Sequence, residues 1–253
     1  MEIVLPLVAL LTAALSAVIG MGGGILLLAA MFAFLPHAEA IPTHAAVQLA
    51  SNGTRVAAFV RNVDWSTLGR FCVGVVPGMV VGAVVLGTLG MSAEREPYLK
   101  LLVGAYVLTA TFLPSPRSMS TVRAHWWDFP LLGFVVGAAA LTIGAIGPLI
   151  APMFARRRFV KERLIATKAT CQLLAHMMKI PAFLMIRPDL DVKRLGLVTV
   201  LMIAMVIPGT LIGKRVLKHV TDRHFVVLYR VALTVAGLKV LIVDGVLRLA
   251  VGD

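Results

Sequence analysis

Residues 17–59 of this chain recur, shifted by 124 positions, as residues 141–183. The identities include Gly20/Gly144, Gly23/Gly147, Thr43/Thr167 and Gln48/Gln172. Each copy holds a glycine-interrupted apolar run and then a helix with a polar stripe. The match continues beyond this stretch. Asp64…Leu68-Gly69 corresponds to Asp191…Leu195-Gly196, and Pro77-Gly78…Gly82 corresponds to Pro208-Gly209…Gly213. A duplication of this extent divides the chain into a first repeat at 1–114, a polar linker at 115–126 and a second repeat at 127–253, together one transmembrane domain.

The solvent for that domain follows from composition. The chain is 59% hydrophobic and 14% charged, with a mean hydropathy of +0.94. Uncharged runs recur at the length of membrane spans, about 20 residues. They are continuously apolar, whereas barrel strands alternate over about ten positions. The expected fold is an all-α polytopic membrane protein of about 8–10 segments. Net charge is +12. The Lys and Arg residues sit between the spans, where they set orientation. No basic, aromatic-interleaved soluble segment exists to hold nucleic acid. Cys72 and Cys171 lie in apolar segments with neither metal spacing nor a disulfide framework, so no metal or cofactor is expected. The start carries Glu2 and no basic n-region, which reads as a first membrane segment rather than a cleaved signal.

The apolar run 3–35 is too long for one span and is interrupted by Gly20 and by Gly22, Gly23 and Gly24. Each glycine weakens a helix by up to about 1 kcal/mol relative to alanine. The pattern predicts a helix over 3–19, a break at 20–24 and a short helix over 25–35. A turn from Pro36 to Pro42 follows, then a helix over 43–61 with Thr43 as N-cap, and spans over 66–90 and 97–114. The second half repeats the plan: an apolar run over 127–155 broken at Gly144, Gly147 and Pro148, a helix over 163–186, and spans over 192–213 and 224–247. The loop 36–42 contains no Lys or Arg, whereas 156–163 contains Arg156, Arg157, Arg158, Lys161 and Arg163. Positive-inside logic puts these loops on opposite sides. That requires an odd number of segments per half, five here, and hence inverted repeats with the N-terminus outside. Segment 25–35 would cover only about 16 Å, roughly half the hydrocarbon core, so the broken pair is either a re-entrant hairpin or two passes.

The polar stripe carries the chemistry. His44, Gln48, Asn52 and Arg55 fall at i, i+4, i+8 and i+11, one face of a helix. Lys168, Gln172, His176 and Lys179 occupy the same offsets in the second copy. A central Lys or Arg costs about 2.5–3.5 kcal/mol in a membrane, so such groups should face the protein interior or a water-filled cavity. Interhelical hydrogen bonds alone are worth only about 0.6 kcal/mol each on average. The amide kept at Gln48 and Gln172 favours function over glue. Arg55 and Lys179 are expected to snorkel to the interface. At each break, unpaired N–H groups and the partial positive charge of a helix start suit an anion. Paired interrupted segments in two halves are the sequence signature of a transporter site. The candidate substrate-binding residues are therefore Gly22, Gly23, Gly24, His44, Gln48, Asn52, Gly144, Gly147, Lys168, Gln172 and His176. His44 and His176 titrate near neutral pH, which makes protons the candidate coupling ion.

The Gly20-Met21-Gly22-Gly23-Gly24 cluster, the Pro42-Thr43-His44-Ala45-Ala46-x-Gln48-Leu49-Ala50-Ser51-Asn52 block and their degenerate second copy resemble the sulfite exporter TauE/SafE family of membrane permeases. The resemblance covers essentially the whole chain. It implies transport of small sulfur-containing anions, such as sulfite or organosulfonates, across the bacterial inner membrane. Gly144-Ala145-Ile146-Gly147-Pro148 lacks the glycine triplet, which points to unequal half-sites. The rival functions are an anion channel and a membrane-embedded enzyme with His44 or His176 as general base. No nucleophile–base motif supports the latter. The expected partners are a small anion, the lipid bilayer and a second copy of the chain as a homodimer.

Overall fold

The structure is a computed structural model that describes residues 3–19, 22–89, 96–112, 125–156, 161–186, 192–216 and, in the last segment, 227, 231, 234–235 and 237–251. Gly20, Asp191, the linker at 115–124 and most of the basic loop after Arg156 lie outside the described residues. The first repeat contains α1 (Val4–Ile19), α2 (Gly23–Met31), α3 (His37–Phe59), α4 (Trp65–Leu89) and α5 (Glu96–Phe112). The second contains α6 (Asp128–Ile143), α7 (Gly147–Arg156), α8 (Lys161–Ile186) and α9 (Val192–Val216). It closes with a π-helical segment, Lys239–Leu247, that runs into a final turn, α10 (Arg248–Val251). Among the described residues, Trp65–Thr88, Arg163–Ile186 and Gly196–Val216 are long and apolar enough to cross a membrane. The all-α membrane class expected from the sequence is what the chain adopts.

Two boundaries differ from expectation. The helix predicted over 43–61 begins six residues earlier, at His37, with Pro36 at its N-cap and Pro42 inside it. Thr43 is therefore not a cap. Pro36 has φ −59° and ψ 156°, an extended geometry that leads directly into a helix. The hydrogen bond lost at Pro42 is outweighed by the extra turn. The short helices also start earlier than the glycines suggested. α2 begins at Gly23, and its nine residues cover about 14 Å; the ten of α7 cover about 15 Å. Neither spans a hydrocarbon core of about 30 Å.

The packing follows the duplication. The most extensive helix pairs are α4 with α6, α1 with α9, and α3 with α8. In α4, Gly74, Gly78 and Gly82 press their backbone against the carbonyls of Pro130, Phe134 and Ala138 in α6, so closely that a Cβ would collide with them. In α9, Gly209 and Gly213 do the same against Leu10 and Ala14 of α1. Leu10 and Ala14 are the repeat counterparts of Phe134 and Ala138, and Gly209 and Gly213 those of Gly78 and Gly82. Small residues four apart let membrane helices approach to backbone contact where no hydrophobic force drives them together. Residue numbers rise together in both pairs, so each runs parallel. In contrast, α3 and α8 run antiparallel: His44 faces His176, whereas Asp64, past the end of α3, meets Thr167 near the start of α8. The π-helical segment runs antiparallel to α5, with Gly104 against Leu241 and Gly245 against Leu101. Outward faces are apolar. Val73, Val76, Val80 and Val84 of α4 are all exposed, as lipid-facing residues should be.

Gly78→Ala and Gly209→Ala should each destabilise the protein by about 1–3 kcal/mol through overpacking. Gly69→Ala, which meets nothing within 4 Å, should be neutral or stabilising by up to about 1 kcal/mol. Melting curves of the three purified variants in detergent check this ranking.

Candidate functional site

The polar stripes end up where the membrane cannot reach them. His44, Gln48, Ser51, Asn52 and Arg55 of α3 are buried, as are Lys168, Gln172, His176 and Lys179 of α8. Arg55 is 5% exposed and Lys179 0%. Neither snorkels to the interface as expected. Both sit on the faces by which α3 and α8 pack together, so their charges turn inward.

Each break carries a glycine with positive φ, at positions that are not repeat counterparts. Gly22 has φ 98° and Gly144 φ 82°, backbone that a side chain rarely tolerates. Gly22 is the N-cap of α2 and has no side-chain hydrogen bond. Gly144 terminates α6, its N–H donating to the Ala140 carbonyl. The chain folds back after the first break, so that Gly23 packs on Thr12 and Ser16 of α1. Each glutamine packs against the short helix of its own repeat: the Gln48 amide against Gly24, the Gln172 amide against Gly147.

These pieces enclose a small cavity. Its wall contains Gly22, Gly24, His44, Gln48 and Arg55 from the first repeat and Gly147, Gln172 and His176 from the second, with Ser16, Ile25, Ala145 and Ile146 completing it. About 10 Å³ is open to the centre of a water molecule, room for about one water. Among the described residues the wall holds a guanidinium, two imidazoles, two amides, a hydroxyl and two helix starts, and no carboxylate. It is donor-rich and positive, which suits an anion. The His44 Nε2 atom lies 2.8 Å from the Gly24 carbonyl. A carbonyl only accepts, so Nε2 carries the proton and Nδ1 is left as acceptor. The His44 and His176 rings meet edge to face with centroids 5.7 Å apart. Both Nδ1 atoms, and both polar atoms of the Asn52 amide, are buried without a partner. Unpaired buried polar atoms are costly and rare, and three such side chains lie on the facing helices α3 and α8. Among the described residues no group of three His, Cys, Asp or Glu could hold a metal ion.

Of the predicted residues, Gly22, Gly24, His44, Gln48, Gly147, Gln172 and His176 share this wall. Gly23, Asn52, Gly144 and Lys168 are not in it. Asn52 and Lys168 are buried beside it, Lys168 within electrostatic reach of Arg55. Gly144 instead accepts a hydrogen bond of 3.0 Å from the Lys179 ammonium. Sequence reasoning missed Ser16, Ile25, Ala145, Ile146 and the inward turn of Arg55. The signal for Arg55 was its place on the His44–Gln48–Asn52 face.

At one end of the helix pair, Asp64 joins the repeats. Its Oδ1 accepts from the Thr67 N–H at 2.9 Å, capping α4, and its Oδ2 meets the Arg163 guanidinium of α8 at 2.7 Å. Its own N–H donates to the Thr167 hydroxyl at 2.9 Å.

Comparison with known proteins gives one family. The family profile described as Sulfite exporter TauE/SafE matches residues 5–240. A probable sulfite/organosulfonate exporter TauE of Cupriavidus necator is 29% identical over 115 residues, 44% of this chain and 43% of that protein. The match thus spans less than half the length of that curated relative. No solved structure matches the chain.

Asp64→Ala should cost about 0.5–2 kcal/mol through the lost cap. Asp64→Asn, which keeps the cap and removes the ion pair, should cost under about 1 kcal/mol because the Arg163 partner is largely exposed. Equilibrium unfolding of both variants checks the difference.

Proposed function

We propose the following for this chain, which belongs to the sulfite exporter TauE/SafE family: it is a secondary transporter that moves a small sulfur oxyanion, sulfite or an organosulfonate, out across the bacterial inner membrane. The family is one of exporters, which sets aside the membrane-embedded enzyme. The observation that carries the proposal is the carboxylate-free cavity between the two breaks, with donors from both halves in one wall. Gln48 and Gln172 donate to the anion's oxygens, and the start of α2 turns its backbone N–H end and its partial positive charge towards the cavity.

The repeats are inverted. Support comes from helix directions: pairs made of counterpart helices, α3 with α8 and α5 with the π-helical segment, run antiparallel. A two-fold axis in the membrane plane requires that reversal. Sites of this kind lie at the repeat interface and are exposed alternately to either side. The cavity as it stands holds about one water, so helices must part to admit a three-oxygen anion, and this is the occluded state of the cycle.

Protons couple to the anion through the histidine pair. His44 and His176 charged together, with centroids 5.7 Å apart, would repel by about 3 kcal/mol at an effective dielectric of 20. An anion in the same cavity relieves that repulsion, so anion and protons favour each other's binding.

Vesicles reconstituted with the purified protein should take up labelled sulfite with saturation, faster when the side holding the anion is acidified. Gln48→Leu and Gln172→Leu should each raise the half-saturation concentration about 10-fold or more, since a hydrogen bond to a charged group is worth about 1.5–3 kcal/mol. Uptake no faster than in empty vesicles, for sulfite and organosulfonates alike, would sink the transporter, and a rate indifferent to pH would remove the proton coupling.

A further inference from the structure

Among the positions at which the two polar ladders differ, two are coupled. Arg55 of α3 corresponds to Lys179 of α8, and Ser51 to Ala175. The consequences differ in kind. Lys179, with no hydroxyl one turn back, extends to the Gly144 carbonyl and satisfies the broken end of α6. Its ammonium is committed to backbone. Arg55 turns back on its own helix: Nε donates to the Ser51 carbonyl at 3.3 Å, and Nη2 donates to the Ser51 hydroxyl at 2.8 Å. Those two N–H groups form one edge of the guanidinium. A guanidinium has five donors in a rigid plane, so three are left: both on Nη1 and one on Nη2. The outer edge, where Nη1–H and Nη2–H run parallel, is the fork that takes two oxygens of an oxyanion. Among the described residues Arg55 is also the one Arg or Lys in the cavity wall.

We propose that Arg55 grips the transported anion with this outer fork, and that Ser51 is a positioning residue that fixes the plane of the guanidinium. The proposal rests on the sulfur-oxyanion transport put forward above. It makes the two half-sites unequal in role. The first repeat supplies the charge that holds the anion, and the second supplies a charge that holds the backbone. A lysine at position 55 would keep the charge but lose both the fork and the tie to Ser51, because an ammonium is a single flexible point charge.

The test measures melting temperature in detergent against rising concentrations of sulfite, methanesulfonate, phosphate and nitrate, together with transport in vesicles. Wild-type protein should be stabilised by the sulfur oxyanions. Arg55→Lys should fold, keep a similar melting temperature without anion and need about 10-fold or more anion for the same stabilisation. Ser51→Ala should raise the half-saturation of transport several-fold at unchanged maximal rate, and Ser51→Thr, which restores the hydroxyl, should return it. Equal anion dependence in wild-type and Arg55→Lys protein overturns the proposal. If Arg55→Lys does not fold, the serine pair decides: Ser51→Ala behaving as wild type overturns it. Stabilisation by phosphate or nitrate in place of the sulfur anions would refute the substrate while leaving Arg55 to be judged by its lysine variant. No stabilisation by any of the four refutes both.

Discussion

The antiparallel pairing of α3 and α8 is the constraint on which the rest of this structure depends. Each helix carries a row of imidazole, amide and cationic side chains that would cost several kcal/mol apiece against lipid. Facing each other, the two rows shield one another and leave apolar residues for the outside. α3 is so polar on its inner face that it does not qualify as a span by apolarity, although it is 23 residues long. It persists in a membrane only because it has α8 beside it. The other elements complete the seal. α1 with α9 and α4 with α6 form tight parallel pairs, and the half-length helices α2 and α7 pack against Gln48 and Gln172 of the rows.

Those outer pairs show how the seal is made without a hydrophobic driving force. Backbone contact through Gly74, Gly78 and Gly82 on one side, and through Gly209 and Gly213 on the other, maximises dispersion between helices that lipid would solvate equally well. The contacts of Gly78 and Gly82 and those of Gly209 and Gly213 fall on counterpart residues. Duplication therefore preserved the frame and let the interior diverge. Gln48 and Gln172 are the same in both copies, His44 has Lys168 as its counterpart, and the Arg55–Ser51 couple occurs in one copy alone.

Much of this was legible in the chain itself. The all-helical membrane class, the breaks and the shared polar face were all written in spacing and composition. The inner positions of Gln48, Gln172, His44 and His176 followed from the cost of polar groups in lipid. Three things were not legible. The start of α3 at His37 was hidden because Pro42 resembles a helix boundary, whereas Pro36 sets one six residues earlier. The inward turn of Arg55 and Lys179 was hidden because a long cation near a helix end can reach the interface as easily as the interior; which it does depends on the neighbour, a Ser51 hydroxyl or a Gly144 carbonyl. The contributions of Ser16, Ala145 and Ile146 to the cavity depend on how the short helices fold back, which no local pattern specifies.

The central claim is that one anion site between the two breaks is exposed alternately to the two sides of the membrane. Counterflow tests it most directly. Vesicles preloaded with unlabelled sulfite should take up external labelled sulfite several-fold faster than empty-loaded vesicles, and should accumulate label transiently above equilibrium. A labelled flux indifferent to the internal anion, as through an open pore, would contradict it.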